Sequence, residues 1–540
     1  MLRITFINPP HADWCLPQTL TFMSMQSHYT HFGKSPNDVQ WIEPPFKWDQ
    51  YTNIQQVYDE VKEADIILFS SYVWNYDLVD EIAALVKKQN PTVITMIGGP
   101  HIGFDKPGFA ENRWMYDYVA TPTTPGEIFI TDFLDRYLAD KNLPLPNEIT
   151  YEARSLKKAN WEFLSSSLYE AHADHLKRMC DYADTHNMEK FIVLETTRGC
   201  PYKCSYCEWG GGLGTKIIKK DIEVVKRDIL AIKAAGYSEV YSADANFGVF
   251  EERDREILLF ASANGIKLTD ISVVKAKNLD RRKRIVNMFY DAGISWDVHI
   301  PIQSISEAAM KVSNRTDLTL ADKIELGKYI KKMAEDHGYT RPGIEMIMAM
   351  PGSTLDDFYN EYELLMDFQA LGDHRHVYMV LPDSEAASSE YVAAHDLELV
   401  DVYSDALDED NASVGNSLYK HRKSHFKTIA SSFSYSREDM HQMFFMNYAA
   451  PKLINEFYYL CSTMAVADFV RLCYAAISNM PEFAQIAAEV EDIFDPATPA
   501  RNISRLQGKI RTVAVDEFVD EHSGIITAAI MEAYLTNYEQ

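Results

Sequence analysis

The sequence predicts an α/β protein with three parts: an N-terminal doubly wound parallel sheet, an open six-fold βα barrel and a mostly helical C-terminal domain. In two stretches, apolar strand-like runs alternate with helical periodicity, which is the pattern of parallel βα units. A polar, proline-containing interruption separates the two stretches, and a segment rich in Met, Tyr and Phe follows the second. These observations place the domains at residues 1–140, 191–390 and 391–540, with a linker that contains some helix at 141–190.

Five short apolar runs predict the strands of the first sheet. They are Arg3–Ile7, Val39–Ile42, Asp65–Phe69, Thr92–Ile97 and Asp117–Ala120. A helix is predicted at Leu78–Lys87, and another is expected to begin near Pro125. Because doubly wound sheets bind ligands beyond the carboxyl ends of their strands, Ser70, Ser71 and Gly98–His101 are candidate ligand contacts.

The second stretch predicts six strands and the helices between them. The strands are expected at residues 191–196, 238–242, 269–274, 294–300, 343–348 and 376–381, and the helices at 220–234, 252–263, 279–291, 318–336 and 354–368. Six units favour an open barrel over a closed eight-fold one. In a parallel barrel the chemistry lies on the loops that follow the strands.

The charge balance and the cysteine content narrow the classes of partner and compartment. Lys and Arg number 52 against 79 Asp and Glu, a net charge of −27, which argues against nucleic acid or an anionic membrane as the main partner. No apolar run reaches about 18 residues and Met1–Pro10 is not a signal peptide, so we expect a cytoplasmic protein without a membrane span. Seven cysteines, three of them clustered, fit a reducing compartment and a metal site better than a disulfide framework.

Cys200, Cys204 and Cys207 lie in the loop after the first predicted barrel strand. Gaps of three and two residues allow three thiolates to converge on one face of a compact loop. A 4Fe-4S cluster normally takes four cysteines, so three leave one iron open to bind a substrate or cofactor. Structural zinc is the alternative, but zinc prefers four ligands in paired Cys units, and no fourth Cys or His lies close by in sequence.

The spacing Cys-x3-Cys-x2-Cys, with the aromatic Tyr206 before the last cysteine, resembles the signature of the radical S-adenosylmethionine superfamily. The Thr-Thr-Arg-Gly-Cys-Pro segment that ends at Pro201 and the Trp-Gly-Gly run from Trp209 are similar to members with an N-terminal cobalamin-binding domain. The resemblance covers roughly residues 1–390. It implies a 4Fe-4S cluster whose open iron binds S-adenosylmethionine, which one electron then cleaves to a 5′-deoxyadenosyl radical. It also implies an electron donor such as flavodoxin or ferredoxin.

The resemblance further suggests which barrel residues contact S-adenosylmethionine. Ser242 and Asp244 follow the second strand, where relatives contact the amino group, although Asp244 as a helix cap is the alternative. Ser304 follows the fourth strand, and Arg315 could pair with the methionine carboxylate because a guanidinium fork suits a carboxylate. A surface salt bridge is the alternative for Arg315. Glu345 lies within the apolar fifth strand, whose following loop packs near the adenine in relatives, and it needs a partner if it is buried.

The first domain resembles the cobalamin-binding domain of cobalamin-dependent radical enzymes through Ser70, Gly98 and Gly99. Ser70 at a strand end can hydrogen-bond a buried nucleotide tail, and the two glycines let the backbone approach a bulky ligand. The Asp-x-His-x-x-Gly motif whose histidine ligates cobalt is absent, and His11 and His101 lie nearby without that pattern. Many radical members also lack it, so cobalamin is expected, with a domain that no longer binds it as the alternative.

The leading hypothesis is a cobalamin-dependent radical enzyme that methylates an unactivated carbon of a small molecule or peptide. The resemblance implies that the radical activates the substrate, which then receives a methyl group from cobalamin. The same radical could instead drive a rearrangement, cyclisation or oxidation, and a non-catalytic iron–sulfur or zinc protein is a third possibility. The aromatic residues Phe433, Tyr435, Phe444, Phe445 and Tyr448 either line a substrate pocket or belong to the C-terminal core.

Overall fold

The structure of the chain is a computed structural model. It describes residues 1–102, 113–120, 125–141, 148–149, 163–209, 217–294, 298–372, 375–382, 384–405, 418–419, 423–497, 504–506, 509–511 and 513–538. The two glycines of the Trp-Gly-Gly run lie outside these residues.

The first domain contains the predicted parallel sheet. Its strands in spatial order are Val39–Trp41, Leu2–Ile7, Ile66–Ser70, Ile94–Gly98, Tyr118–Ala120 and Glu148–Ile149. Every neighbouring pair is parallel. The order is that of a doubly wound sheet with helices on both faces, so the fold class predicted for this part is confirmed. The sixth strand, Glu148–Ile149, lies beyond the boundary expected at residue 140.

In the described residues, six α-helices accompany this sheet or follow it. They are Leu20–Phe32, Ile54–Val61, Tyr76–Gln89, Gly126–Ala139, Leu168–Ala171 and Ala173–His186. The last two fall in the predicted linker. Tyr169 and Leu176 on these helices are buried in the same apolar core as Ile4 of the first sheet and Ile229 of the next domain. The two sheets are therefore joined through a continuous core rather than a loose connection.

The second domain contains two parallel sheets in consecutive strand order. One comprises Val193–Leu194, Glu239–Ser242 and Lys267–Thr269, and the other comprises Ile271–Ser272, Val298–Gln303, Gly343–Met348 and Arg375–Val377. A parallel bridge between Phe247 and Val273 connects them. The helices are Ile222–Ala235, Glu251–Ala263, Leu279–Asp291, Glu307–Val312, Leu320–His337 and Leu355–Asp367. The predicted βα succession is present, and closure into an open barrel stays a prediction.

The C-terminal part is mostly helical, as predicted, and it also contains a sheet that was not predicted. The helices are Ser389–Ala394, Arg437–Glu456, Tyr458–Cys461, Val466–Ser478, Phe483–Ile493, Val513–Glu521 and Ser523–Tyr538. The sheet comprises Met379–Val380, Lys423–Ser431, Glu398–Asp405, Ser504–Leu506 and Lys509–Arg511. Tyr435, Phe444 and Phe445 are core residues, whereas Phe433 is 54% exposed and Tyr448 is partly buried.

Among the described helices, none combines the length and the apolar character that a membrane crossing requires.

Gly99→Ala is expected to destabilise the first domain by about 2 kcal/mol or more, because a non-glycine residue in such a backbone conformation is strained. Gly99 has a φ of 109°, and an added Cβ would lie 2.5 Å from the Ser71 carbonyl oxygen. Urea unfolding followed by circular dichroism measures the change. Gly98→Ala is the matched control, since a Cβ there would meet the Ala120 Cβ at an ordinary 3.5 Å. Equal stability of the two variants would contradict this explanation.

Candidate functional site: the cysteine loop between the two parallel-sheet domains

The carboxyl edge of the first sheet carries the residues predicted to contact cobalamin. Ser70 ends one strand and is buried, and Gly98 ends the next strand and is partly exposed. The space beside Gly98 is one that a Cβ would fill, since such an atom would stand 3.5 Å from the Ala120 Cβ. Gly99 instead allows the close approach of the Ser71 backbone, so a folding requirement accounts for this glycine.

Two stacked aromatic rings follow the strand Ile66–Ser70 at this edge. The rings of Tyr72 and Trp74 have centroids 4.5 Å apart. Burial raises the pKa of Tyr72, and the charge of Glu208 raises it further. Glu208, the residue that follows Cys207, is thus among the charges that act on Tyr72 at the end of the strand Ile66–Ser70.

The cysteine loop, residues 199–209, directly follows the strand Thr197–Arg198, which pairs antiparallel with Ile218–Lys219. Cys200 and Cys204 are buried, Cys207 is partly exposed, and all three are free thiols. In the described part of the chain, no three Cys, His, Asp or Glu side chains lie close enough together to hold one metal ion. An iron–sulfur cluster binds each cysteine through a separate iron, so its thiolates stand farther apart than the ligands of a single zinc ion.

Asp244 fixes the start of the cysteine loop. Its carboxylate accepts hydrogen bonds from the backbone N–H of Thr196 at 2.7 Å, from the backbone N–H of Thr197 at 2.8 Å and from the Thr196 hydroxyl. Burial raises the pKa of Asp244 to about 6, against the opposing effect of these hydrogen bonds. The helix-cap alternative is wrong, since the next helix, Glu251–Ala263, follows Phe250 as its N-cap. Both carboxylate oxygens are engaged by this chain, which favours a positioning role over contact with an ammonium.

Arg315 connects the centre of the cysteine loop to the strand Val298–Gln303. Its guanidinium donates to the Tyr206 hydroxyl at 2.7 Å, to the Pro301 carbonyl oxygen at 2.7 Å and to the Asp317 carboxylate at 2.9 Å. The surface salt bridge is wrong because the pair with Asp317 is buried. With these partners, Arg315 is better suited to holding Tyr206 than to pairing with a methionine carboxylate.

The other predicted contacts divide into a buried residue and two partly exposed ones. Ser304 is fully buried and donates to Glu361 at 3.1 Å, while Ser242 is partly buried and accepts from the Asp244 backbone N–H at 3.3 Å. Glu345 is partly exposed and accepts from the Gln303 side-chain amide at 3.4 Å. The buried carbonyl oxygen of the Gln303 side chain has no hydrogen-bond donor among the described residues.

Four buried basic side chains interact electrostatically with the buried carboxylate of Asp317. Arg282 and Arg315 lie 3.4 Å and 2.9 Å from the two oxygens of Asp317. Lys323 donates to the Ser304 carbonyl oxygen at 2.7 Å. The Nζ of the fourth, Lys275, lies 4.0 Å from the Cys204 sulfur atom. Buried cations are costly unless anions compensate them, so this surplus of positive charge fits three cysteine thiolates that carry an anionic iron–sulfur cluster.

Two polar contacts join the first domain to the elements around the cysteine loop. Arg198, two residues before Cys200, lies 3.0 Å from Glu127 at the start of a first-domain helix, and it also pairs with Glu195 at 2.5 Å. The Cys15 thiol, in the segment after the first strand, donates to Glu189 at 3.2 Å. The carboxyl edge of the first sheet and the cysteine loop therefore face each other.

Lys275 and Arg198 were not singled out as site residues by sequence reasoning. Arg198 belongs to the Thr-Thr-Arg-Gly-Cys-Pro segment, so its position before the first cysteine was an available signal. Lys275 follows the apolar pair Val273-Val274 after the third strand, and a charged residue at a strand end marks the ligand-binding edge of a parallel sheet. Neither signal shows which residues interact with the charges of Arg198 and Lys275.

Two family models match the chain. Residues 38–125 match the B12 binding domain, and residues 194–365 match the Radical SAM superfamily, a range that includes all three cysteines. The resemblance inferred from the cysteine spacing and the first sheet is confirmed by these matches.

Two curated relatives align with about two thirds of this chain. The cobalamin-dependent radical SAM methyltransferase TokK of Streptomyces tokunonensis is 26% identical over 64% of this chain and 51% of its own length. The 2-(S-pantetheinyl)-carbapenam-3-carboxylate methyltransferase of Streptantibioticus cattleyicolor is 25% identical over 66% of this chain and 53% of its own length. The chain thus spans about half the length of the curated relatives that it matches.

Solved structures share the fold. The cobalamin-dependent S-adenosylmethionine radical enzyme OxsB, with aqua-cobalamin and S-adenosylmethionine bound, matches with a TM-score of 0.57 at 13% identity, over 99% of this chain and 79% of that chain. The radical S-adenosylmethionine methyltransferase TsrM from Kitasatospora setae matches with a TM-score of 0.53 at 13% identity, over 77% of this chain and 80% of that chain.

Asp244→Asn is expected to destabilise the domain, because an amide presents one acceptor oxygen to three donors and an unpaired buried donor costs about 1–3 kcal/mol. The loss should be larger at about pH 5 than at about pH 7.5. Since burial raises the pKa of Asp244 to about 6, the folded protein holds this proton more tightly than the unfolded chain. The stability contributed by Asp244 therefore falls as the pH rises from about 4 to about 6, and the Asn variant lacks this dependence.

Urea unfolding of both proteins at the two pH values measures the difference. Asp270→Asn is the control, since Asp270 is exposed and its φ of 50° is one that asparagine tolerates. A loss of stability in Asp244→Asn that is equal at both pH values would refute the raised pKa.

Proposed function

We propose that this chain, which is homologous to cobalamin-dependent radical SAM methyltransferases through its B12-binding and radical SAM domains, is itself such an enzyme. The observation that carries the proposal is the contact between the first domain and the segment that leads into the cysteine loop, where Arg198, two residues before Cys200, lies 3.0 Å from Glu127. A cluster on the cysteines and a cobalamin at the sheet edge would then border one shared space. We infer that the reaction transfers a methyl group to an unactivated carbon of a small molecule.

The cysteines Cys200, Cys204 and Cys207 would hold the 4Fe-4S cluster, which leaves one iron for S-adenosylmethionine. The cluster supplies the electron that cleaves S-adenosylmethionine, and the cobalamin carries the methyl group. The protein supplies position and charge. Asp244 fixes the segment before the loop by accepting a hydrogen bond from the Thr196 backbone N–H, and Arg315 fixes the loop itself by donating to the Tyr206 hydroxyl.

At the sheet edge, we propose that the buried Ser70 and the space beside Gly98 receive cobalamin. The donor set supports binding without a protein imidazole on cobalt, since the motif that supplies such a histidine is missing from the sequence. His11 instead lies 3.5 Å from the Cys15 sulfur atom, in the contact that joins the two domains.

The substrate is proposed to bind on the partly exposed face of the second domain's strands. His299, Glu345 and Ile347 are partly exposed there, while alternate residues such as Ile344 and Met346 are buried in the apolar core on the opposite face. Glu345 and Gln303 give this face polar groups that could orient S-adenosylmethionine or a substrate. Reduced flavodoxin or ferredoxin is the proposed electron donor, in the cytoplasm, where the cysteines outside the triad would stay free thiols.

Cys200→Ala, Cys204→Ala and Cys207→Ala are each expected to abolish the cleavage of S-adenosylmethionine, because each removes one ligand of the cluster. Anaerobic reconstitution followed by chromatography of 5′-deoxyadenosine measures the cleavage. Cys461→Ala is the control, since this partly exposed thiol lies on a C-terminal helix, and it should retain full cleavage. Retained cleavage of S-adenosylmethionine in any of the three cysteine variants would contradict the assignment of these cysteines as cluster ligands.

The ratio of products separates methyl transfer from the other radical outcomes. A methyltransferase of this kind forms both 5′-deoxyadenosine and S-adenosylhomocysteine during turnover, whereas a rearrangement, cyclisation or oxidation forms 5′-deoxyadenosine without S-adenosylhomocysteine. Turnover without S-adenosylhomocysteine would overturn methyl transfer and leave the radical assignment intact.

Gly98→Leu is expected to weaken cobalamin binding at least tenfold, because its side chain would fill the space at the end of the strand Ile94–Gly98. Gly98→Ala should weaken binding less, in keeping with its smaller volume. Titration of the protein with hydroxocobalamin, followed by visible absorbance, measures the affinity. Gly372→Ala is the control, as an added Cβ there meets no described atom within 4 Å. Unchanged affinity in Gly98→Leu would place the cobalamin elsewhere.

A further inference from the structure

Lys275 is a buried lysine whose ammonium lies beside the cysteine loop. Lys275 comes three residues after the strand Ile271–Ser272, and it is 5% exposed. The Nζ atom lies 4.0 Å from the Cys204 sulfur and 3.7 Å from the centroid of the Tyr202 ring. An ammonium over an aromatic face is held by the ring quadrupole, so Tyr202 keeps this charge close to the thiol.

The charge of Lys275 belongs to the surplus of positive charge around the cysteines. Burial lowers its pKa, while the charges of Cys204 and Cys200 oppose that change. The nearest carboxylate in this group, on Asp317, is already shared by Arg282 and Arg315. A buried ammonium needs a compensating anion, and the cysteine thiolates are the anions that this arrangement offers it.

We infer that Lys275 is a positioning residue that makes the cluster easier to reduce, by placing its ammonium against the Cys204 thiolate. This inference rests on the proposed function, since it requires a cluster on the three cysteines. One electron, delivered by a low-potential reductant, makes the cluster one unit more negative, and no bond forms or breaks. A fixed positive charge at this distance stabilises the more negative form, and the low polarity of a buried site strengthens the effect.

The test is the midpoint potential of the cluster in the reconstituted full-length protein. Stepwise reduction with dithionite and redox mediators, followed by electron paramagnetic resonance without S-adenosylmethionine, gives the ratio of reduced to oxidised cluster. Lys275→Met should lower this ratio about tenfold or more at a fixed potential, which is a shift of about 59 mV for one electron. Lys275→Arg retains the charge and should restore most of the wild-type ratio.

Lys277→Met is the matched control, because it removes an exposed lysine two residues away on the same segment. Solvent and salt screen exposed charges, so its midpoint potential should equal that of the wild type. The omission of S-adenosylmethionine matters, since a lysine that only binds the methionine carboxylate would leave the potential unchanged. An unchanged potential in Lys275→Met would overturn the inference.

A measurement on the wild type decides the question if Lys275→Met fails to take up a cluster. Protein grown with 15N-labelled lysine should show a 15N coupling in the pulsed resonance spectrum of the reduced cluster, because a lysine nitrogen contacts one of its thiolates. Absence of that coupling would overturn the inference. If the wild type itself takes up no cluster, the proposed function fails as well, so the two failures are distinguishable.

Discussion

The guanidinium of Arg198, whose side chain is 14% exposed and whose partners Glu127 and Glu195 are buried, makes the contact on which the geometry of the site depends. It lies between Glu127 of the first domain and Glu195 of the second, two residues before Cys200. Removing one partner from a buried ion pair leaves an uncompensated charge, which costs several kcal/mol. The ion pairs of Arg198 therefore hold the first domain against the segment that leads into the cysteine loop. The hydrogen bond from Cys15 to Glu189 is a second contact between the two domains.

Once the loop is held in this way, the charges around it acquire a common explanation. Arg282, Arg315, Lys323 and Lys275 are all buried, and Asp317 forms ion pairs with the first two of them. If the three cysteines were neutral thiols, the buried positive charges would lack compensating anions. Thiolates that bind an iron–sulfur cluster supply the missing negative charge. The same residues thus serve the fold and the proposed chemistry.

The sequence predicted most strands and helices of the first two domains because their signals are local, but it missed the helices Leu20–Phe32 and Ile54–Val61. Apolar runs and helical periodicity lie within about ten residues, and the Cys-x3-Cys-x2-Cys spacing lies within eight. The roles of Asp244 and Arg315 depend on contacts with residues 47 and 109 positions away in sequence, respectively. A pattern in one segment cannot show those partners, so both residues were assigned to a ligand when this chain already engages them. The C-terminal sheet was missed for the same reason, since Glu398–Asp405 forms a strand by pairing with Lys423–Ser431.

The most direct test of the central claim, a cluster with an open iron between the two domains, is an electron paramagnetic resonance spectrum. The reconstituted and reduced protein is measured before and after the addition of S-adenosylmethionine. We predict about four irons per chain and a signal that changes when S-adenosylmethionine is added, because the ligand reaches the open iron. A signal that saturating S-adenosylmethionine leaves unchanged, or a protein that takes up zinc in place of iron, would contradict the account.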